Sequence, residues 1–114
     1  MKTSDIQGLE NMKCLQGEYE DAEITAGYTS DLLSDVMAHA EEGSVLITIQ
    51  AHKNTIAVAS LVGINAVVLC NNRAMPEDAL ASAAEEGIAV FQTLENQFKT
   101  SCSIAQHFAG CPMR

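Results

Sequence analysis

With 114 residues, the chain has about the length of one domain, and we expect residues 1–114 to form a single folded unit. Six Lys and Arg against fifteen Asp and Glu give a formal charge of −9, which repels phosphate backbones and anionic membrane surfaces and argues against nucleic-acid binding. No apolar run reaches the length of a signal peptide or the roughly 20 residues of a membrane span, so the sequence predicts a cytoplasmic protein without membrane contact.

The first part of the chain predicts three short elements and then a helix. Residues 5–11 favour a helix, residues 13–16 a strand, and residues 22–28 a strand at or near a sheet edge. A helix over residues 32–40 follows. Ser30 and Asp31 are candidates for its N-cap, because their side-chain oxygens can accept hydrogen bonds from the first backbone N–H groups.

A unit of helix, glycine and apolar strand occurs three times, in MAHAEEGSVLITI, ASLVGINAVVLC and ASAAEEGIAVFQTL. The three glycines, Gly43, Gly63 and Gly87, stand where a helix ends in a left-handed residue. The strands that follow, over residues 45–49, 66–70 and 89–91, should be parallel and joined by right-handed crossovers. They are apolar without alternation, which is typical of strands covered on both faces. The sequence therefore predicts a three-layer α/β/α fold with a mostly parallel sheet of four to five strands.

The later helices have recognisable starts. Asn54 can cap a helix over residues 55–62, and Pro76 followed by two acidic residues suits the first turn of the next helix. Asn96 can cap a last helix over residues 97–109.

Polar side chains follow each predicted strand at the carboxyl edge of the sheet, which is where parallel α/β proteins bind ligands. Two of the six cationic residues, Lys53 and Arg73, fall on this edge and favour an anionic ligand there. The predicted ligand-binding residues are Ser30, Asp31, Gln50, His52, Lys53, Asn54, Asn71, Asn72 and Arg73. A simpler interpretation stays open, in which Asn54 is a helix cap, Asn71 and Asn72 form a turn, and the cations are merely solvated.

Catalytic and metal-binding patterns are weak. The chain has no phosphate-cradling glycine loop and no hydrolase nucleophile elbow. His52 could act as a general base, but the spacing fixes no Ser or Cys near it. The spacing of Cys102, His107 and Cys111 matches no common zinc pattern. All four cysteines are expected to be reduced, with Cys70 as a small core residue. The sequence predicts no catalytic site, no metal and no cofactor.

The order of these segments resembles the DRTGG domain, a small α/β module related to the N-terminal domain of HPr kinase/phosphorylase. The resemblance covers residues 24–104 and lies in GYTSDLLSDVMAHAEEGSVLIT, QAHKNTIAVASLVGINAVVL, the helix after Pro76 and GIAVFQT. The segments GYTSDLLSDVMAHA and ITIQAHKNTIAVASLVG are especially similar to the stand-alone members found in anaerobes, which are often encoded beside iron-only hydrogenase components. This chain has Ala-His at 51–52 where the family often has Asp-Arg, and Cys-Asn-Asn at 70–72 where the family has Thr-Gly-Gly.

Two classes of function follow. The resemblance implies a non-catalytic regulatory or ligand-sensing module, and the carboxyl edge favours a small anionic ligand such as a nucleotide. The same resemblance implies a homodimer, for which ALASAAEEG or TIAVASLVG could supply a flat helical face. The alternative is a protein-interaction accessory to a redox enzyme assembly such as iron-only hydrogenase, with no small ligand. A third, weaker hypothesis is an enzyme that uses His52 or Cys70.

Overall fold

Helices and strands alternate along the chain, as the repeated unit predicts. The computed structural model describes residues 1–108. Its elements are α1 (Thr3–Ile6), β1 (Met12–Gln16), β2 (Ala26–Thr29), α2 (Leu33–His39), β3 (Ser44–Thr48), α3 (Lys53–Val62), β4 (Ala66–Leu69), α4 (Glu77–Glu86), β5 (Ala89–Thr93) and α5 (Gln97–Ala105). Strand β5 extends two residues beyond the predicted end, because Gln92 and Thr93 pair with Lys13 and Met12 of β1.

The five strands form one sheet in the order β1-β5-β4-β3-β2. Strands β2, β3, β4 and β5 are parallel to their neighbours, whereas β1 runs antiparallel to β5. At the centre of the sheet, Val68 lies opposite Ile47 on one side and Phe91 on the other. The predicted parallel arrangement of the three repeated strands is confirmed.

Helices cover both faces of the sheet. Helices α2, α3 and α4 contribute Val36, Ile56 and Ala79 to an apolar cluster on one face. On the other face, α1 and α5 contribute Ile6 and Ile104 to a second cluster. Both faces of the central strands are therefore buried, as their continuous apolar sequence predicts. The predicted three-layer α/β/α fold is confirmed.

The three repeated glycines all adopt left-handed backbone conformations, with φ of 84° at Gly43, 87° at Gly63 and 68° at Gly87. Gly63 and Gly87 are the C-caps of α3 and α4, as predicted. Gly43 is different, because α2 already ends at His39 and its C-cap, Ala40, is extended. The amide of Gly43 donates to the carbonyl of Gly63 at 2.8 Å and so joins two turns at the amino edge of the sheet.

The structure corrects the predicted cap at Asn54. Helix α3 begins at Lys53 and His52 takes the N-cap position, so Asn54 lies in the first turn with an exposed side chain. The start is fixed instead by the buried Thr55. Its hydroxyl donates to the carbonyl of Gln50 at 2.8 Å, and its amide donates to the carbonyl of His52 at 3.0 Å.

Ser30 and Asp31 do not cap α2 in the predicted way, because Leu32 occupies the N-cap position. The hydroxyl of Ser30 accepts from the amide of Leu32 at 3.2 Å, while the carboxylate of Asp31 turns toward other elements. The predicted cap at Asn96 is confirmed, since its side-chain oxygen accepts from the amide of Lys99 at 2.9 Å.

The ends of the chain differ most from the prediction. Helix α1 is shorter and earlier than residues 5–11, and β2 is shorter than residues 22–28. The reason is that Ala22 and Ile24 form backbone hydrogen bonds with the N-terminal segment rather than with β3. Helix α5 ends at Ala105, so residues 106–108 are not helical as predicted, and the predicted last residue, 109, lies outside the described residues. None of the helices within residues 1–108 is long and apolar enough to cross a membrane.

Candidate functional site

The carboxylate of Asp31 is the centre of the carboxyl edge. Its Oδ1 atom accepts three hydrogen bonds, each 2.9 Å long, from the hydroxyl of Thr48, the amide of Ile49 and the side-chain amide of Gln97. These donors belong to the end of β3, the segment after it and the first turn of α5. One oxygen therefore holds three segments together, and hydrogen bonds of this kind to an ionised group are stronger than neutral ones.

Gln50 extends this network to His52. Its side-chain nitrogen donates to the backbone carbonyl of Asp31 at 2.8 Å, and its side-chain oxygen lies 3.0 Å from Nε2 of His52. Because the amide oxygen can only accept, Nε2 of His52 must carry the proton in this pair. In the neutral ring, Nδ1 is then the acceptor. The loop after β3 is thus fixed by side chains that the sequence predicts as ligand-binding residues.

Ser30 belongs to a neighbouring cluster around Asp35. The hydroxyl of Tyr28 donates to Oδ2 of Asp35 at 2.7 Å, and Nδ1 of His39 lies 3.0 Å from Oδ1. The hydrogen bond from Tyr28 holds the pKa of Asp35 below its ordinary value, and the hydroxyl of Ser30 and the ring of His39 act in the same direction. The same bond raises the pKa of Tyr28. This cluster fastens α2 to β2.

Lys53 and Asn54 form the exposed first turn of α3. No side chain caps this helix, since the N-cap His52 makes no capping hydrogen bond. Backbone N–H groups at such a start carry a partial positive charge and point toward the carboxyl edge. The ammonium group of Lys53 forms no ion pair within residues 1–108.

Asn71, Asn72 and Arg73 form a tight turn after β4. Both asparagines are left-handed, with φ of 56°, which confirms that they are turn residues tolerant of this conformation. Their amides donate to the carbonyls of Glu95 and Thr93 at 2.9 and 2.8 Å. All three side chains are exposed, and Arg73 forms no ion pair in the described part of the chain.

The nine predicted residues therefore divide into two groups. Asp31, Gln50 and His52 are joined by hydrogen bonds and are partly buried, with Ser30 bound to α2 beside them. The second group is exposed and comprises Lys53, Asn54, Asn71, Asn72 and Arg73. Both groups lie on the carboxyl edge, but no hydrogen bond between described side chains joins Asn71, Asn72 or Arg73 to the Asp31 network.

The sequence-based prediction does not include Thr48 and Gln97, whose side chains both donate hydrogen bonds to Asp31. Thr48 is fully buried at the end of an apolar strand and gives no polar pattern of its own. Gln97 follows the predicted cap Asn96, which places it on the carboxyl edge. Its partner Asp31 is 66 positions away in the sequence, so spacing could not reveal the pair.

A separate cleft of about 340 Å³ opens at the far end of the same edge, between β1, β5 and α5. Its polar lining includes Asn11, Glu95 and Lys99, and the ammonium group of Lys99 lies 3.6 Å from a carboxylate oxygen of Glu95. None of the nine predicted residues lines this cleft.

The arrangement offers little for nucleophilic catalysis. Among the described side chains, the hydrogen-bond partner of the His52 ring is Gln50, and no hydroxyl or thiol bonds to that ring. The thiol of Cys70 is fully buried, and burial raises its pKa and disfavours the nucleophilic thiolate. Within residues 1–108, no group of three His, Cys, Asp or Glu side chains is placed to hold a metal ion. Cys111, the third residue of the candidate zinc set Cys102, His107 and Cys111, lies outside the described residues.

A known structure has the same architecture. It is the crystal structure of the CBS and DRTGG domains of the regulatory region of Clostridium perfringens pyrophosphatase, complexed with its activator, diadenosine tetraphosphate. The TM-score is 0.71 over 90% of this chain, at 11% sequence identity, and this chain spans 45% of that chain. No family profile and no curated protein sequence matches the chain. The likeness establishes the fold alone, which is an α/β fold of the DRTGG type.

Proposed function

We propose that this chain is a non-catalytic, ligand-sensing regulatory module that binds a small anion at the carboxyl edge of its sheet. The observation that carries the proposal is the pair of exposed cations, Lys53 and Arg73, on that edge. Neither has an ion-pair partner within residues 1–108, although the chain carries a net charge of −9. A cation left unpaired in so acidic a protein favours an external anion.

The backbone beside Lys53 supports the same ligand class. Helix α3 begins without a side-chain cap, so the N–H groups of Lys53 and Asn54 are available to an acceptor, whereas that of Thr55 donates to the carbonyl of His52. Helix starts of this kind bind phosphate and carboxylate groups. The turn at Asn71 and Asn72 adds two exposed side-chain amides, which can donate to phosphate oxygens. A nucleotide or another phosphorylated metabolite fits this set of donors.

The Asp31 network has a supporting role in this proposal. Its hydrogen bonds hold the loops after β2 and β3 and the start of α5 in fixed positions. A site whose loops are already fixed binds its ligand with a smaller loss of conformational entropy. The neighbouring structure, a regulatory region in complex with a nucleotide activator, is compatible with this assignment.

Absence of catalysis is part of the proposal. Nε2 of His52 bonds to the side chain of Gln50, and no described hydroxyl or thiol forms a hydrogen bond with the ring. We therefore expect no turnover of common phosphorylated metabolites. Turnover that disappears in His52→Ala would overturn the assignment as a non-enzyme.

A second candidate is a protein-interaction accessory, for which a redox enzyme assembly such as iron-only hydrogenase is the expected setting. Three large apolar side chains at the same edge favour it, because Leu32, Leu94 and Phe98 are 64%, 65% and 77% exposed. Several large exposed apolar residues on one edge of a protein can mark a protein contact.

A thermal-shift screen separates the two candidates. A ligand that binds only the native state at about a hundred times its Kd stabilises it by about 2.7 kcal/mol, which is readily visible in Tm. We expect nucleotides or other phosphorylated metabolites to raise Tm in the parent chain and in Phe98→Ser. The shift should be absent in Lys53→Ala/Arg73→Ala. A broad panel without any shift, together with a purified redox subunit whose binding Phe98→Ser abolishes, would favour the accessory role.

A further inference from the structure

The cleft between β1, β5 and α5 carries charged groups of both signs that the proposed anion site does not use. The carboxylate of Glu95 and the ammonium group of Lys99 both line it and lie 3.6 Å apart. The side-chain amide of Asn11 lies 3.4 Å from the other carboxylate oxygen. Hydrogen bonds to charged groups normally measure about 2.7–2.9 Å, so both of these contacts are long. Glu95 and Lys99 can therefore each take a closer partner.

Three hydroxyl groups line the same cleft, and two of them belong to buried residues. Thr93 is 2% exposed and accepts from the amide of Glu95 at 3.2 Å, and Thr100 is 3% exposed and accepts from the thiol of Cys70 at 3.5 Å. Each hydroxyl can also donate a hydrogen bond, and neither donates to a group within residues 1–108. The third hydroxyl, that of Ser103, is exposed. This set of donors favours a ligand that brings acceptor oxygens.

Apolar side chains complete the wall of the cleft. Leu9 and Met12 are half-buried and pack against the apolar cluster beneath α5. Met12 lies opposite Thr93 in the β1–β5 pair, so the sheet holds the apolar wall and the hydroxyls at fixed positions. The volume of about 340 Å³ is near the lower end of the range of ligand pockets, roughly 300–1,000 Å³. The cleft therefore suits a small ligand with a charged end and an apolar end.

We propose that this cleft binds an α-amino acid with an apolar side chain. The carboxylate of the ligand accepts from the ammonium group of Lys99 and from the hydroxyls, and the ammonium group of the ligand donates to Glu95. Because the charged groups of Lys99 and Glu95 are only 3.6 Å apart, they match a ligand whose two charged groups are attached to one carbon atom. The apolar side chain of the ligand then lies against Leu9 and Met12.

Other classes of small ligand fit these groups less well. A phosphorylated compound would bring several negative charges close to the carboxylates of Glu10 and Glu95, which repel it. A simple amine would leave Lys99 and the hydroxyls without an acceptor, and a simple carboxylic acid would leave Glu95 without a closer partner. Opening the pair between Lys99 and Glu95 costs little, because exposed ion pairs contribute little to stability.

The cleft is distinct from the proposed anion site, although one backbone segment borders both. None of the nine predicted ligand-binding residues lines the cleft. The carbonyls of Thr93 and Glu95 accept hydrogen bonds from the amides of Asn72 and Asn71, so the turn after β4 rests on the wall of the cleft. The two sites take different ligands through different side chains, and the experiments on them can succeed or fail separately.

Calorimetric titration tests the proposal. The aliphatic and aromatic L-amino acids are titrated into the parent protein, and at least one should bind. Lys99→Met and Glu95→Gln, which each remove one charge from the cleft, should weaken its binding at least tenfold. The carboxylic acid and the amine that lack one charged group of the tightest binder should also bind at least tenfold more weakly. For leucine these compounds are isocaproate and isopentylamine. Far-UV circular dichroism establishes that each variant is folded.

Lys13→Met and Glu41→Gln are matched controls, because they remove the same charges from exposed residues outside the cleft. Both should bind the amino acid as the parent protein does. Lys53→Ala/Arg73→Ala should also bind it unchanged, which separates this cleft from the proposed anion site. The proposal would be overturned by a parent protein that binds none of these amino acids, by equal affinities in the cleft and control variants, or by an analogue that binds as tightly as the amino acid.

Methyl NMR locates the ligand without any variant. Met12 lines the cleft, whereas Met37 is exposed on α2, which packs on the opposite face of the sheet. In protein labelled at the methionine methyl groups, the bound amino acid should shift the signal of Met12 and leave that of Met37 unchanged. The reverse pattern, or a bound amino acid that shifts neither signal, would contradict the assignment to this cleft.

Discussion

The side-chain amide of Gln97 donates a hydrogen bond of 2.9 Å to Oδ1 of Asp31 and so joins two segments that are 66 positions apart in the sequence. The same oxygen binds the hydroxyl of Thr48 and the amide of Ile49. Three elements of the carboxyl edge therefore depend on one carboxylate. This dependence predicts that the shape of the candidate site and the stability of the fold are coupled through Asp31.

Removal of the Asp31 carboxylate should lower the free energy of unfolding. Asp31→Ala leaves the buried hydroxyl of Thr48 and two further donors without their acceptor, and each unsatisfied buried group costs roughly 1–3 kcal/mol. We expect a loss of about 3 kcal/mol in the free energy of unfolding, measured by urea titration. Asp31→Asn keeps one oxygen in place and should lose less than half as much. Equal losses for Asn and Ala would show that the acceptor oxygen is not the stabilising feature.

The bond between Tyr28 and Asp35 predicts a defined pH window. The pKa of Asp35 lies below its ordinary value of 3.8, so its contribution is present above that pH and is lost as the pH falls through the folded-state value. The pKa of Tyr28 lies above 10.0, so its contribution is present below that pH and is lost as the pH rises through the folded-state value. Tyr28→Phe should lower Tm by a constant amount between these limits.

Outside this window the Tm values of Tyr28→Phe and the parent protein should converge, at the acid end because Asp35 is protonated and at the alkaline end because Tyr28 is ionised. Tyr19→Phe is a suitable control, since its hydroxyl forms no bond with Asp35. A difference in Tm that does not shrink as the pH falls from 7 to below 3.8 would contradict the role of this hydrogen bond.

The left-handed glycines should differ in how much stability is lost when each is replaced by alanine. Alanine in this conformation costs about 1–2 kcal/mol, so Gly87→Ala, which has open space around the new Cβ, should lose about that much. Gly43→Ala should lose more, because its Cβ would lie 2.8 Å from the hydroxyl oxygen of Thr25. Thr25→Ala should relieve the additional loss at Gly43 but not the loss at Gly87. Thermal unfolding of the three single variants, and of the two double variants that combine Thr25→Ala with Gly43→Ala or with Gly87→Ala, provides the comparison.

The sequence predicts the fold well because its signals are local. An apolar run such as that of β3 is long enough to specify a strand buried on both faces, and Gly63 marks the end of the helix before β4. The start of α3 is predicted less well. Asn54 is the plausible cap in the sequence, and the buried hydroxyl of Thr55, which fixes the helix start at Lys53, is a tertiary feature.

The candidate site is predicted only in part for the same reason. Lys53 and Arg73 lie on the carboxyl edge because they follow parallel strands, which the sequence order alone dictates. The hydrogen bond between Asp31 and Gln97 depends on the angle at which α5 crosses the sheet, and nothing in the residues near either side chain encodes that angle.

The proposed binding of an anion by Lys53 and Arg73 at the carboxyl edge is tested by calorimetric titration. The phosphorylated compound with the largest thermal shift is titrated into the parent protein, into Lys53→Ala/Arg73→Ala and into Lys2→Ala/Lys13→Ala, which makes the same change in net charge away from α3. We predict that the first double variant loses at least tenfold in affinity, about 1.4 kcal/mol, while the second binds as the parent does. Equal affinities in all three proteins, or no binding by any of them, would contradict the account.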